Sequence, residues 1–80
     1  MFIESCQHIY YNTRYIAKYY LAINEIRIVM HDGEDALLYV FQNIDESITG
    51  MWVLNRLMRN ESSVVTSRDF YNQFEEEYRK

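Results

Sequence analysis

A β-hairpin in the middle of the chain constrains the fold more than any other feature. Residues 26–30, Ile-Arg-Ile-Val-Met, are rich in β-branched side chains and show the polar–apolar alternation of a strand. Residues 36–41, Ala-Leu-Leu-Tyr-Val-Phe, form a second apolar run of strand length. The turn cluster between them, residues 31–35, contains Gly33 directly after Asp32, and this glycine can adopt a positive φ. The pattern predicts two antiparallel strands joined by a short turn.

Two helices are predicted after this hairpin, at about residues 46–59 and 67–79. For the first, Asp45 or Ser47 is the expected N-cap, and Asn60 is the expected terminator. Gly50 within it predicts a close approach of this helix to the sheet. A stripe at helical spacing is formed by Ile48, Met51, Trp52, Asn55 and Met58, and it is widened by Leu54 and Leu57. The second helix begins at a capping-box pattern, Thr66-Ser67-Arg68-Asp69, and carries the aromatic stripe Phe70, Tyr71, Phe74 and Tyr78.

The first 25 residues have a weaker pattern. Apolar and polar side chains alternate loosely from Phe2 to Tyr11, and this pattern predicts one strand. Residues 13–24 fit the spacing of a helix or of a strand, and their aromatic and branched side chains favour a strand that turns at Asn24. The chain is therefore predicted to be a single domain, residues 1–80, of the α+β class. A small antiparallel sheet of three or four strands precedes two C-terminal helices.

Composition excludes several classes of protein. One cysteine among 80 residues cannot form an intramolecular disulfide, and with only two histidines it makes a structural zinc site improbable. No apolar run approaches the length of a membrane span, and no secretory leader is apparent, so we expect a cytoplasmic location. The net charge of −4 disfavours direct binding to nucleic acid, since phosphates repel an acidic surface.

Cys6, His8, His31 and Asp32 are the residues from which a metal site or a cysteine nucleophile would have to be built. A strand would place Cys6 and His8 on one face, but they lack the paired close spacings of zinc ligands. Because the chain has only two glycines, it also offers few backbone positions from which an oxyanion hole could form. We therefore expect a protein that is not an enzyme and has no catalytic, cofactor-binding or metal-binding residues.

Two groups of residues are candidates for binding another protein. Tyrosines are concentrated between residues 10 and 20, and strand alternation cannot bury all of them. Acidic side chains occur at the hairpin turn and near the end of the second helix, where three consecutive carboxylates oppose the helix dipole. The candidates are Tyr10, Tyr11, Tyr15, Tyr19, Tyr20, Asp32, Glu34, Asp35, Glu75, Glu76 and Glu77.

The stretch from about residue 8 to residue 58 combines an Asn-containing turn, a glycine hairpin and a helix. Residues 11–16, Tyr-Asn-Thr-Arg-Tyr-Ile, are followed by the strand 26–30, the Asp32-Gly33 turn and the helix from Glu46. This layout resembles small FlbD-like flagellar accessory proteins, with Thr13 and Arg14 in place of the Pro and Asp of their turn. The resemblance implies a hairpin-plus-helix fold and transfers no functional residue.

Small size, acidity and high tyrosine content resemble phage-encoded inhibitors of the anti-CRISPR type, which share no common motif. This resemblance implies a nucleic-acid mimic that covers a basic surface of a host defence protein, in the host cytoplasm. The expected function is a non-enzymatic acidic module that binds a protein with a basic surface. Alternatives are a flagellar accessory role and a homo-oligomeric structural protein in which the tyrosine patch closes a homodimer.

Overall fold

The structure, a computed structural model, describes residues 1–60 and 64–79. Within them, six strands form two sheets, and two α-helices follow the longer strands. The strands are β1 Phe2–Glu4, β2 Tyr10–Asn12, β3 Ile16–Ala22, β4 Glu25–Met30, β5 Asp35–Val40 and β6 Val64–Val65. The helices are α1 Ile44–Arg59 and α2 Ser67–Tyr78, and a 3₁₀ helix spans Thr13–Tyr15. The predicted α+β class is confirmed.

The larger sheet is antiparallel, with the strand order β3-β4-β5. The predicted hairpin is its β4–β5 pair, in which Ile28 lies opposite Ala36. Ile26 and Ile28 are fully buried because alternate residues of β4 point towards the helices. The strand interpretation of residues 13–24 is correct for residues 16–22, which form β3 and pair with β4, whereas residues 13–15 form the 3₁₀ helix.

The prediction of one strand from Phe2 to Tyr11 is wrong. The chain turns at residues 5–9 and pairs β1 with β2, so that Ile3 lies opposite Tyr11. The Ser5 hydroxyl accepts hydrogen bonds from the backbone N–H groups of Gln7 (3.2 Å) and Ile9 (3.3 Å), and His8 adopts a φ of 63°. A serine side chain that bonds to nearby backbone in this way ends a strand. The short strand β6 completes the second sheet by pairing in parallel with β1.

Helix α1 begins earlier than predicted, and the predicted stripe coincides only in part with its buried face. Its N-cap is Asn43, whose side chain accepts the N–H of Glu46 at 2.9 Å, and not Asp45 or Ser47. The Ser47 hydroxyl is instead buried, 2.9 Å from the backbone oxygen of Ile23. The buried residues of α1 are Ser47, Gly50, Val53 and Leu54. Of the predicted stripe, Leu54 is therefore buried, and Met51, Leu57 and Met58 pack against the core. Ile48 and Trp52 are exposed.

Gly50 gives α1 the close approach that the sequence predicts. A Cβ at this position would lie 2.9 Å from Cε1 of the Phe41 ring, closer than a packed core allows. At this position the helix therefore rests directly on the aromatic ring.

Helix α2 closes the core with the predicted aromatic residues. Its N-cap is Thr66, whose hydroxyl accepts the N–H of Asp69 at 3.1 Å, as the capping pattern predicts. Phe70 stacks on Tyr39 with a centroid distance of 3.7 Å and an interplanar angle of 2°. Within the described residues, no helix combines the length and the apolar content needed to cross a membrane.

Candidate protein-binding cleft

A cleft of about 400 Å³ lies at the tip of the β4–β5 hairpin and brings together residues from both predicted groups. Tyr11 and Tyr15 of the tyrosine group line it, as do Asp32 and Glu34 of the hairpin turn. The other lining residues are Met30, His31 and Ala36. We call these seven residues the hairpin-tip cleft. Its lining is mainly apolar, and its carboxylates belong to an exposed turn.

Short-range hydrogen bonds hold the turn that carries the carboxylates. The side chain of Asp32 accepts the N–H of Glu34 at 2.9 Å, and the N–H of Met30 donates to the Glu34 carbonyl at 2.7 Å. Gly33 takes a φ of 93°, which only glycine adopts without cost, and its N–H donates to the Met30 carbonyl at 2.9 Å. The turn therefore holds the backbone of Asp32 and Glu34 in place before any partner arrives.

The opposite wall is the 3₁₀ helix that ends at Tyr15. Asn12 caps this helix by accepting the N–H of Arg14 at 3.0 Å, and the N–H of Thr13 donates to the Met1 carbonyl, also at 3.0 Å. One further bond joins the two walls, because the N–H of His31 donates to the Tyr15 carbonyl at 2.9 Å. The distance between the tyrosine and the acidic turn is thus fixed by backbone contacts.

Asp35, the third predicted carboxylate of the turn, does not line the cleft. It accepts a hydrogen bond from the Tyr20 hydroxyl and forms an ion pair with Arg27, with Oδ1 and Nε separated by 2.7 Å. Both contacts stabilise the charged carboxylate and hold the pKa of Asp35 below its usual value. The hydrogen bond from Tyr20 has the larger effect. The uncompensated charge at the hairpin tip therefore comes from Asp32 and Glu34, which form no ion pair within residues 1–60 and 64–79.

The remaining predicted tyrosines lie outside the cleft. Tyr10 is 54% exposed on β2, at the edge of the smaller sheet. Tyr19 lies half-buried with its hydroxyl 4.0 Å from the Met58 sulfur, and burial raises the pKa of Tyr19 to about 12. Tyr20 is held by Asp35, and the Lys18 ammonium lies 5.7 Å from its ring centroid. The five predicted tyrosines are therefore divided among four environments, of which the cleft is one.

The acidic run of α2 is largely paired within the chain. Glu77 forms an ion pair with Arg56 at 2.8 Å, and Glu75 forms one with Arg79 at 3.0 Å, whereas Glu76 is exposed. Glu75 and Arg79 also border a larger groove of about 620 Å³ between the end of β5 and α2. Since that groove carries both signs of charge, it is less suited to a cationic partner than the hairpin-tip cleft.

The residues considered for metal binding or nucleophilic catalysis are not brought together. Cys6 and His8 lie in the turn after β1, not on a strand, and the His8 ring bonds to Glu4 at 3.0 Å. Burial raises the pKa of the Cys6 thiol, so it remains protonated at neutral pH. Within the described residues, no group of three or more His, Cys, Asp or Glu side chains is arranged to hold a metal ion.

Sequence reasoning missed the apolar part of the cleft, Met30 and Ala36. These residues stand at the ends of the two predicted hairpin strands, and that position is the signal that could have placed them beside the turn. Comparison of the chain with family models, with curated proteins and with solved structures found no significant match. The two resemblances noted in the sequence therefore stay predictions.

Proposed function

We propose that this protein is a non-enzymatic binding module whose hairpin-tip cleft accepts a lysine or arginine side chain from a basic surface of another protein. The observation that supports the proposal most directly is that Tyr11 and Tyr15 line one cleft together with Asp32 and Glu34. Within residues 1–60 and 64–79 these two carboxylates form no ion pair, and a backbone hydrogen bond joins the two sides of the cleft.

The chemistry of the cleft matches a long cationic side chain. Such a side chain buries its aliphatic stem on apolar surface while its charged end remains near water and carboxylates. Met30 and Ala36 supply the apolar surface, and Asp32 and Glu34 supply the carboxylates. Tyrosine rings add a cation–π attraction of roughly 0.5–1 kcal/mol at an exposed site. The groove between the end of β5 and α2 also has aromatic and carboxylate side chains in its lining, but it includes the cationic side chain of Arg79.

The narrower form of the proposal is an inhibitor encoded by a phage or another mobile element, of the anti-CRISPR type. Surfaces dense in lysine and arginine are those that proteins use to hold nucleic-acid phosphates. A module of charge −4 that captures such side chains competes with the nucleic acid for that surface. The acidity of the chain and the acidic cleft support this form of the proposal.

The test is a titration of ¹⁵N-labelled protein with a hexa-arginine peptide, followed by NMR. We expect the amide shifts to concentrate at residues 11–15 and 30–36 and to weaken with added salt. Glu34→Gln should weaken binding about two- to fivefold, the range of an exposed ion pair. Tyr15→Ala should weaken it by a similar factor, through the lost cation–π contact.

Two matched variants provide the controls. Glu76→Gln removes the same charge from an exposed carboxylate outside the cleft, and Tyr10→Ala removes a ring that is 54% exposed, close to the 56% of Tyr15. Both should bind as the parent does. Equal effects of Glu34→Gln and Glu76→Gln would show that the peptide responds only to net charge, and the proposal would be refuted. A hexa-glutamate peptide should produce no shifts.

A further inference from the structure

The outward face of α1 carries an ordered stripe of exposed side chains that the cleft does not use. Trp52 lies at its middle and is 56% exposed, and Ile48, one turn before it, is 52% exposed. Asp45 and Arg59 each lie seven positions from Trp52, which is close to two helical turns. At about 100° per residue, both point within about 20° of the Trp52 direction. The stripe thus runs from acidic through apolar to basic.

This order makes the stripe complementary to itself. If a second α1 packs antiparallel with Trp52 at the two-fold axis, Asp45 of one copy faces Arg59 of the other, and the reverse pair forms by symmetry. The opposed helix dipoles are then also antiparallel. We propose that two copies of this chain form a two-fold dimer through the outer face of α1, with the two Trp52 indoles meeting at the axis.

The side chains on this face are prepared for such a contact. The Arg56 guanidinium lies 5.0 Å from the Trp52 ring and is itself held by Glu77 at 2.8 Å. These contacts restrict the indole before association, which lowers the entropy cost of burying it. Asp45 and Arg59 are exposed and form no ion pair within residues 1–60 and 64–79, so both are available to a second copy.

The apolar part of the stripe is small, because Ile48 and Trp52 supply it. A single helix pair of this length buries an area at the low end of specific interfaces, so the dimer is expected to be weak and concentration-dependent.

Charge reversal tests the pairing directly. The parent mass should rise towards that of a dimer between about 1 µM and 1 mM in analytical ultracentrifugation, the range of a weak interface. Asp45→Arg places two arginines opposite each other at both ends, and Arg59→Asp does the same with two aspartates. Each variant alone should be monomeric over this range. A mixture of the two variants should dimerise, because each chain then offers the charge that the other needs.

The mixture separates the interface from effects on folding, since it contains only the two defective chains. Trp52 is the single tryptophan, so its emission should shift to shorter wavelength as the parent dimer forms. Trp52→Ala should abolish the dimer, whereas Tyr10→Ala, an exposed aromatic elsewhere, should not. A parent that stays monomeric to about 1 mM would overturn the proposal. So would single variants that still dimerise, or a mixture that stays monomeric.

Discussion

Removal of the Tyr39 hydroxyl should stabilise this protein. Tyr39 is fully buried, and within residues 1–60 and 64–79 its hydroxyl has no hydrogen-bond partner. A buried polar group without a partner costs about 1–3 kcal/mol in lost solvation. Tyr39→Phe removes that cost and keeps the ring stacked on Phe70, with the loss of a few dispersion contacts worth ~0.1–0.2 kcal/mol each. We expect the free energy of unfolding to rise by about 1 kcal/mol.

The measurement is urea denaturation followed by far-ultraviolet circular dichroism, together with a thermal melt. A gain of about 1 kcal/mol corresponds to an increase in Tm of roughly 4–8 °C for a domain of this size, with an unchanged urea m-value. Tyr71→Phe is the matched control, because the Tyr71 hydroxyl donates to the Val40 carbonyl at 3.1 Å and accepts the Val40 N–H at 3.2 Å. It should destabilise the fold by about 1–2 kcal/mol. If Tyr39→Phe destabilises to a similar degree, the hydroxyl has a partner and the reasoning fails.

Two further predictions concern the helix α2 and alkaline pH. Truncation after Asn60 removes Phe70 and Phe74, whose burial stabilises the fold by roughly 1.5–3 kcal/mol each, so the shortened chain should lose its cooperative melting transition; an unchanged melt would contradict this packing. Burial raises the pKa of Tyr19 to about 12 and that of Tyr39 further, because the folded state keeps both hydroxyls protonated. The free energy of unfolding therefore keeps its full value below pH 10, and it falls as the pH rises through and beyond 12. Denaturation midpoints measured from pH 8 to 12 should therefore fall only above about pH 10, and a flat profile would refute the assignment.

Local patterns predicted the larger sheet and failed where small or polar residues decide the packing. The β4–β5 hairpin followed from alternation and from Gly33, both of which act within a few residues. Part of the inner face of α1 did not follow, because Gly50 lies there against the Phe41 ring and Ser47 is buried beside it, and a search for apolar side chains passes over both. Hydrophobicity is a poor guide wherever helix and sheet approach this closely.

The candidate cleft was predictable in its parts and not in its assembly. Its acidic turn and its tyrosines were each identified as binding candidates from the sequence. Their meeting depends on the bond between the His31 N–H and the Tyr15 carbonyl, which joins two segments of the chain that no local pattern relates. The position of Asp35 outside the cleft was likewise not predictable from local patterns, because it is set by contacts with Arg27 and Tyr20 on neighbouring strands.

The parallel pairing of β1 with β6 sets the order in which the chain can fold. Ile3 lies opposite Val65, and Ser67 donates its N–H to Glu4 across a separation of 63 residues. The strands β3, β4 and β5 are joined by short turns, so their closure costs little chain entropy. We expect the larger sheet to form in the transition state and the terminal sheet to close afterwards. Interactions that form after the transition state govern the rate of unfolding, so the lifetime of the native state should depend mainly on this junction of distant segments.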